Sequence, residues 1–524
     1  MPMAWRAPRT PMAPPLRMLA LWFGIALALR WALLLQDITY VDRVFPPDDV
    51  FYSLTIARNM ARFLGPSVDG VGLTNGFQPL ITFLQVPLFW ICGSADAAMR
   101  GALLETGFFG ACAVAAVGSL LARVAGMRAA WIAALVMAAH PAVIRNDLNG
   151  LETSLACCLS FVLLHALLLA PGDVTNRRAL SVGAVMSAAL LARIDSCFLI
   201  AIVGLYAAWR WRTRHVVLMG IAAALTIAPW WIYSLLAFGG IVPESGQAVR
   251  QLAQAQIGDT ISSLAVIHGG FCAIGRLVTN LPYFALSNGI LGLAILTAAL
   301  VYGLAGAARS RVLGAMALAS ALQFLFYVLY LKVYWFFPRY LAFVEASVIA
   351  IGSVALSDGL RVRRARPLRF WLSAALSAGF CVASMPALLA EMARFYSHPA
   401  SGADAGDPVP KAYREMALQI VPHVPDGQTL GAMQSGALGY YGPGRIHVIN
   451  LDGVVNRDAK AAFAASTIGR YVARTGIGYF ADWDINLALV KKRWGDTSPI
   501  FQRLTQADRQ GDAQVTLYRL SKPP

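Results

Sequence analysis

The chain has 524 residues, is 58% hydrophobic and only 13% charged, and carries a formal net charge of +16. A mean hydropathy of +0.60 excludes a water-soluble globular protein. The positive charge sits in clusters between apolar runs, so it implies no nucleic-acid partner.

In chain order, the apolar runs 18–36, 100–122, 129–144, 152–170, 179–192, 195–209, 216–238, 283–306, 312–331, 340–359 and 370–391 read as membrane crossings. About 20 helical residues cross a hydrocarbon layer roughly 30 Å thick, and the shorter runs fall below that length. The first run follows Arg6, Arg9 and Arg17 and is long enough to stay as an anchor. Behind it comes a polar loop, 37–99, holding Pro46-Pro47-Asp48-Asp49 and then Thr74-Asn75-Gly76-Phe77-Gln78-Pro79-Leu80. Two adjacent carboxylates beside a membrane need a solvated position or a chemical task. The segment Val50–Leu64 is amphipathic, with Arg58 and Arg62 on its polar side, and is expected to lie in the interface with the aspartates just above the lipid. An aspartate before a helix also serves as an N-cap, and that reading carries equal weight.

Orientation follows from the basic loops, above all Arg361–Arg369, which belong on the cytoplasmic side. The parity closes only if the stretch 79–93, short and broken by Pro79 and Pro87, lies on the outer surface without crossing. About eleven spans then put the N-terminus inside and the C-terminus outside. Residues 1–391 form the membrane domain. Residues 392–524 read as a small soluble α/β domain, with strands at Thr429–Met433, His447–Leu451, Gly478–Ala481 and Val515–Leu520 and a helix at 485–494.

Three outer clusters carry chemistry. Asp48 and Asp49 suit a general base, or hold a divalent cation such as Mg or Mn against a phosphate. The segment Arg145-Asn146-Asp147-Leu148-Asn149-Gly150-Leu151-Glu152 places Glu152 at a helix start, where the dipole alone would favour an acid. Arg193 and Asp195 interrupt an apolar run and should pair or line a wet cavity, the pairing being the weightier reading. The cationic cluster Lys332, Arg339 and Tyr340, with Arg250 and Arg276 on the 239–282 loop, suits a lipid phosphate. An aromatic belt with snorkelling cations has the same composition. Asp452 reads as a turn residue after a strand. No nucleotide loop, zinc-protease helix or serine elbow is present, and the seven cysteines, Cys92 to Cys381, have no disulfide or zinc spacing.

At these residues the chain resembles the integral-membrane GT-C glycosyltransferase superfamily, which includes protein O-mannosyltransferases, aminoarabinose transferases and arabinofuranosyltransferases. The resemblance rests on Asp48-Asp49 with Phe51-Tyr52 and Ala57-Arg58-Asn59, on Thr74–Leu80, Asn149–Thr153 and Pro338–Leu341, and on Val448–Asn456. It implies a GT-C fold and transfer, with inversion, of a sugar from a polyprenyl-phosphate donor to a cell-envelope acceptor at the outer face of a bacterial inner membrane. Carried over, it makes Asp48 the base with Asp49 assisting, Glu152 an orienting group, and Arg339, Tyr340, Arg250 and Lys332 the phosphate cradle. Asn75 and Gln78 become substrate contacts, and the Asp-Asp pair (Asp-Glu in many members) leaves the metal open. A transporter or flippase is the rival reading, since intramembrane Arg193 and Asp195 also suit a substrate path.

Overall fold

The computed structural model describes residues 13–256, 262–279, 284–308, 310–361, 412–495, 499–507 and 515–521. Among these, six helices are long and apolar enough to cross a membrane: Leu16–Leu34, Ala95–Val124, Thr213–Phe238, Leu286–Ala305, Arg311–Leu331 and Ala342–Gly359. A seventh is bent by 67° between Met127–Ala139 and Pro141–Asp147. Pro141 causes the break, because a proline drives the preceding residue out of helical geometry, and His140 has ψ of 122°. The run expected to cross at 129–144 is therefore two helices meeting at an angle.

Thr153–Leu164, Asn176–Ala192 and Cys197–Arg210 are shorter, at 12, 17 and 14 residues. The long apolar helices thus number six or seven among the described residues, against about eleven spans expected. The expected span 370–391 and the basic loop beyond Arg361 lie outside the described residues. The stretch 79–93 forms two short helices, Pro79–Gln85 and Leu88–Ile91. With about 1.5 Å of rise per residue, neither reaches across a bilayer.

The C-terminal part is a five-stranded sheet flanked by short helices. Its strands are β1 (Thr429–Ala432), β2 (His447–Asn450), β3 (Tyr479–Trp483), β4 (Ile500–Ala507) and β5 (Val515–Ser521), in the order β2-β1-β3-β5-β4. β2, β1 and β3 are parallel, while β5 and β4 add as an antiparallel ribbon. The parallel half joins its strands through the helices Gly436–Tyr441 and Arg457–Ala464 with Ile468–Thr475, so its carboxyl edge carries the turns at Met433–Ser435, Leu451–Val454 and Asp484. That edge faces the membrane domain. One apolar cluster runs through both parts: Val50, Phe51 and Leu54 of the acidic helix pack with Met416, Leu438 and Tyr440.

Candidate active site

The acidic doublet opens the helix Asp48–Ala61, and its surroundings differ from the expected interfacial position. Residues Val50 to Asn59 are all buried, because the helix is sandwiched between the membrane domain and the C-terminal sheet. The polar side meets protein instead of headgroups. Asp48 accepts from the amides of Gly436 and Ala437, each at 2.9 Å. Ten residues on, Arg58 donates to the carbonyls of Tyr440 (2.8 Å) and Gly439 (3.3 Å). The helix Gly436–Tyr441 is thus held at its amide end by a carboxylate and at its carbonyl end by a guanidinium, matching its dipole. Tyr52 lies between them. Its hydroxyl donates to the carbonyl of Met433 and accepts from Ser435 N and Asn450 Nδ2, at 3.0, 3.0 and 3.1 Å.

Two glycines permit the approach. A Cβ on Gly436 would stand 2.3 Å from the backbone oxygen of Asp48, and one on Gly76 would stand 2.0 Å from that of Val454. The second contact joins the Thr74–Leu80 segment to Val448–Asn456, two of the sequence motifs singled out above.

Asp49 faces the other way. Its Oδ2 accepts from Arg339 Nη2 at 2.7 Å, and its side chain keeps 28% exposure. The early acidic pair and the late Pro-Arg-Tyr segment therefore meet, 290 residues apart in the chain. They do so at an open cavity of about 930 Å³ between the two domains. Asp48, Asp49, Gln78, Glu152, Arg250, Arg339, Tyr340 and Asp452 all line it. Lys332 and Asn75 do not. Lys332 ends the preceding helix in a left-handed conformation at φ 59°. Asn75 is buried, and its Oδ1 accepts from the amide of Glu244 at 3.1 Å, fixing the start of the helix Glu244–Gln256.

The broken helices deliver the membrane-side groups. Where the helix after Pro141 ends, Asn146 and Glu152 turn into the cavity. Glu152 is bound to Arg193 at 2.5 Å, and Arg193 also holds Asp195 (3.1 Å) and the Tyr327 hydroxyl (2.7 Å). Arg193 and Asp195 thus form an ion pair and line the cavity as well. Asp147 belongs elsewhere: it is bound to Arg30 at 2.5 Å, fully buried between the first span and the bent helix. Sequence reasoning passed over Arg30, although an arginine inside an apolar run calls for a partner.

Arg339 lies over the rings of Phe336 (4.6 Å) and Tyr340 (5.2 Å), and its buried Nε has no acceptor among the described residues. Burial works against its charge, but the Asp49 carboxylate outweighs this and holds its pKa above the ordinary value. Arg250 sits 4.2 Å over the ring of Tyr330, with Nη1 donating to the Tyr330 hydroxyl at 2.8 Å and a buried, unpartnered Nε. Both guanidiniums line the cavity, where their planar forks can pair an anion's oxygens.

Asp452 is the residue whose importance the sequence understated. It is a turn residue as expected, accepting from Val454 N at 2.8 Å, yet it lines the same cavity as the doublet. Burial, with Asp49 and Asp48 adding repulsion, raises its pKa to about 8. Burial raises that of Asp48 to about 7, against the pull of the two amides.

Asp48 and Asp49, the residues expected to hold a divalent ion, are engaged with protein groups in this structure. No group of three His, Cys, Asp or Glu ligands is brought together among the described residues. Both oxygens of Asp48 already accept amides, and Arg339 holds Asp49.

Residues 409–518 match the model of a domain of unknown function, DUF8728. No curated protein matches the chain by sequence. Among solved structures, the apo oligosaccharyltransferase of Archaeoglobus fulgidus is similar with a TM-score of 0.55 at 14% identity, covering 97% of this chain and 74% of that one. AglB of the same organism, in complex with an inhibitory peptide and a dolichol-phosphate, gives 0.52 at 14% over the same shares. ArnT from Cupriavidus metallidurans, bound to undecaprenyl phosphate, gives 0.51 at 14%, covering 97% of this chain and 98% of that one. At such identity the likeness is one of fold. The resemblance to GT-C transferases read from the sequence holds at that level.

Proposed function

We propose that this protein is a membrane glycosyltransferase that moves a sugar from a polyprenyl-phosphate carrier to a cell-envelope acceptor, with inversion, at the outer face of a bacterial inner membrane. The observation that carries the reading is the 2.7 Å contact of Asp49 with Arg339 at the edge of a cavity between the membrane and C-terminal domains. The solved neighbours hold dolichol-phosphate in AglB and undecaprenyl phosphate in ArnT, which supports the same class of carrier here.

In this reading Arg339 and Arg250, with aromatic neighbours, receive the carrier phosphate. Asp49 is the base, because Asp48, first expected in that role, has both oxygens committed to amides of the C-terminal domain. The acceptor hydroxyl gives its proton to Asp49 as its oxygen bonds to the anomeric carbon. The bond from that carbon to the phosphate oxygen breaks on the opposite side, and a single displacement of this kind inverts the centre. Negative charge grows on the departing phosphate, where the preset guanidiniums act. Arg339 supplies beside Asp49 the positive charge that a metal would otherwise supply. The Glu152–Arg193–Asp195 cluster keeps the cavity floor charged, satisfied and fixed.

Purified protein incubated with radiolabelled polyprenyl-phosphate sugar and envelope extract is expected to yield labelled acceptor. Carriage of the label across vesicles without transfer would replace this reading with that of a flippase.

A further inference from the structure

The cavity has two unlike walls. All five arginines that line it (Arg145, Arg193, Arg250, Arg276 and Arg339) come from the membrane domain. The C-terminal domain contributes no lysine or arginine to the lining among the described residues. It contributes Tyr413, Trp483, Gln434, Asn486 and Asp452, that is two aromatic rings, two amides and one carboxyl group, together with four apolar side chains.

These groups are held firmly. Asp482, at the carboxyl end of β3, is 1% exposed and fixes both neighbouring turns. Its Oδ2 accepts from Met433 N and Gln434 N at 2.6 and 3.2 Å, and its Oδ1 from Asn486 Nδ2 at 2.7 Å. The rings of Tyr413 and Trp483 lie 6.5 Å apart and 35° from parallel. The side-chain amide of Gln434 has no hydrogen-bond partner among the described residues, and neither has that of Gln78 across the cavity, although both residues line it. Gln434 stands two residues before the amide that binds Asp48, and Gln78 two residues after the glycine pressed on Val454. The wall therefore borders the acidic doublet directly.

Planar rings beside amides and a carboxyl group, without a cation, match a hydroxyl-rich and uncharged ligand. Rings take the apolar face of a sugar, and amides take pairs of vicinal hydroxyls. An anionic ligand would find no cation to pair with on the C-terminal side, whose one acid is Asp452. We propose that the C-terminal wall around Gln434 and Trp483 is the acceptor subsite, and that its ligand is a neutral carbohydrate. This identifies the acceptor within the transferase reading above and rests on it, although the wall's affinity for sugar is measurable without catalysis.

The test uses the full chain in lipid nanodiscs. Saturation-transfer NMR is recorded with neutral glucose-, galactose- and mannose-based trisaccharides and with trigalacturonate. Binding of undecaprenyl phosphate is followed in parallel by thermal shift. A neutral trisaccharide is expected to bind more tightly than trigalacturonate. Trp483→Ala and Gln434→Leu should weaken it roughly tenfold or more while the undecaprenyl-phosphate shift persists. Trp483→Phe, which keeps a ring, should retain most of the affinity and controls for folding. Arg250→Ala should show the reverse pattern, losing the phosphate shift and keeping the sugar. Failure of every neutral trisaccharide to outbind trigalacturonate, or indifference of binding to Trp483→Ala, overturns the inference and leaves the carrier reading standing. Sugar binding that depends on Trp483 in a protein that ignores undecaprenyl phosphate supports the wall as a carbohydrate site and removes the carrier reading.

Discussion

Asp48 and Asp49 are neighbours with divergent surroundings, and substitution separates their tasks. Asp49→Asn removes the proposed base, so sugar transfer should fall by about 10²–10⁴-fold, and the melting temperature should drop as the buried Arg339 charge loses its counter-ion. Asp48→Asn leaves one of two buried amides without an acceptor, a loss of about 1–3 kcal/mol. Its signature is faster proteolysis between the domains and a lower melting temperature. Unaltered turnover in Asp49→Asn, measured with labelled donor, would take Asp49 out of the chemistry. The sequence displayed the doublet but gave no way to apportion it, since the partners of Asp48 lie 388 and 389 residues further on. The same distance hid the place of Asp452. Its Asn-Leu-Asp-Gly context describes a turn correctly and says nothing of what the turn faces.

At the scale of elements, the helix Asp48–Ala61 was visible from its apolar spacing, but its setting was not. An amphipathic helix covered by a second domain has the same pattern as one lying on lipid; the burial of its polar side, with Arg58 against Tyr440 and Asp48 on the Gly436 and Ala437 amides, separates the two. Four strands were legible because they are short apolar runs bounded by turns. β4 was not, because Gln502, Arg503 and Leu504 are exposed on an edge strand and blur the alternation. The bend at Pro141 was readable in principle from the proline alone. The docking of Gly436–Tyr441 depends on its first residue lacking a side chain. Gly436→Ala places a methyl against the backbone of Asp48 and should uncouple the domains without unfolding either. Hydrogen exchange should then rise in residues 48–58 and 436–441 together. Protection unchanged in both segments would mean that the junction is looser than the contact distances require.

The whole molecule is two bodies joined through buried acids. Asp42 accepts the amides of Arg414 and Glu415, and burial raises its pKa to about 6. Asp48 reaches about 7 and Asp452 about 8, both chiefly through burial. An acid whose pKa is raised on folding favours the folded state most when protonated. Its contribution is complete below the ordinary value of 3.8 and is lost as pH rises through the folded value. Domain docking should therefore weaken between about pH 4 and 8, and Asp48→Asn should flatten part of that slope. Melting curves of the two proteins across this range measure the difference; parallel curves would show that Asp48 titrates alike in both states. Orientation is open to a separate check: reporters fused near residues 212 and 420 should report opposite sides of the membrane, as the basic loops require.

The contact between Asp48 and Gly436 also sets a timetable for biogenesis. Ribosomes that have made the acidic helix must still make more than 380 residues before its partner emerges, roughly 20–80 s at 5–20 residues per second. Arg339 follows after 290 of those residues, and until the C-terminal sheet is made the pair stands without its roof, so a truncated product lacks one wall of the cavity. Premature termination before the last hundred or so residues would remove the sheet that bounds the cavity, along with the amides that hold Asp48.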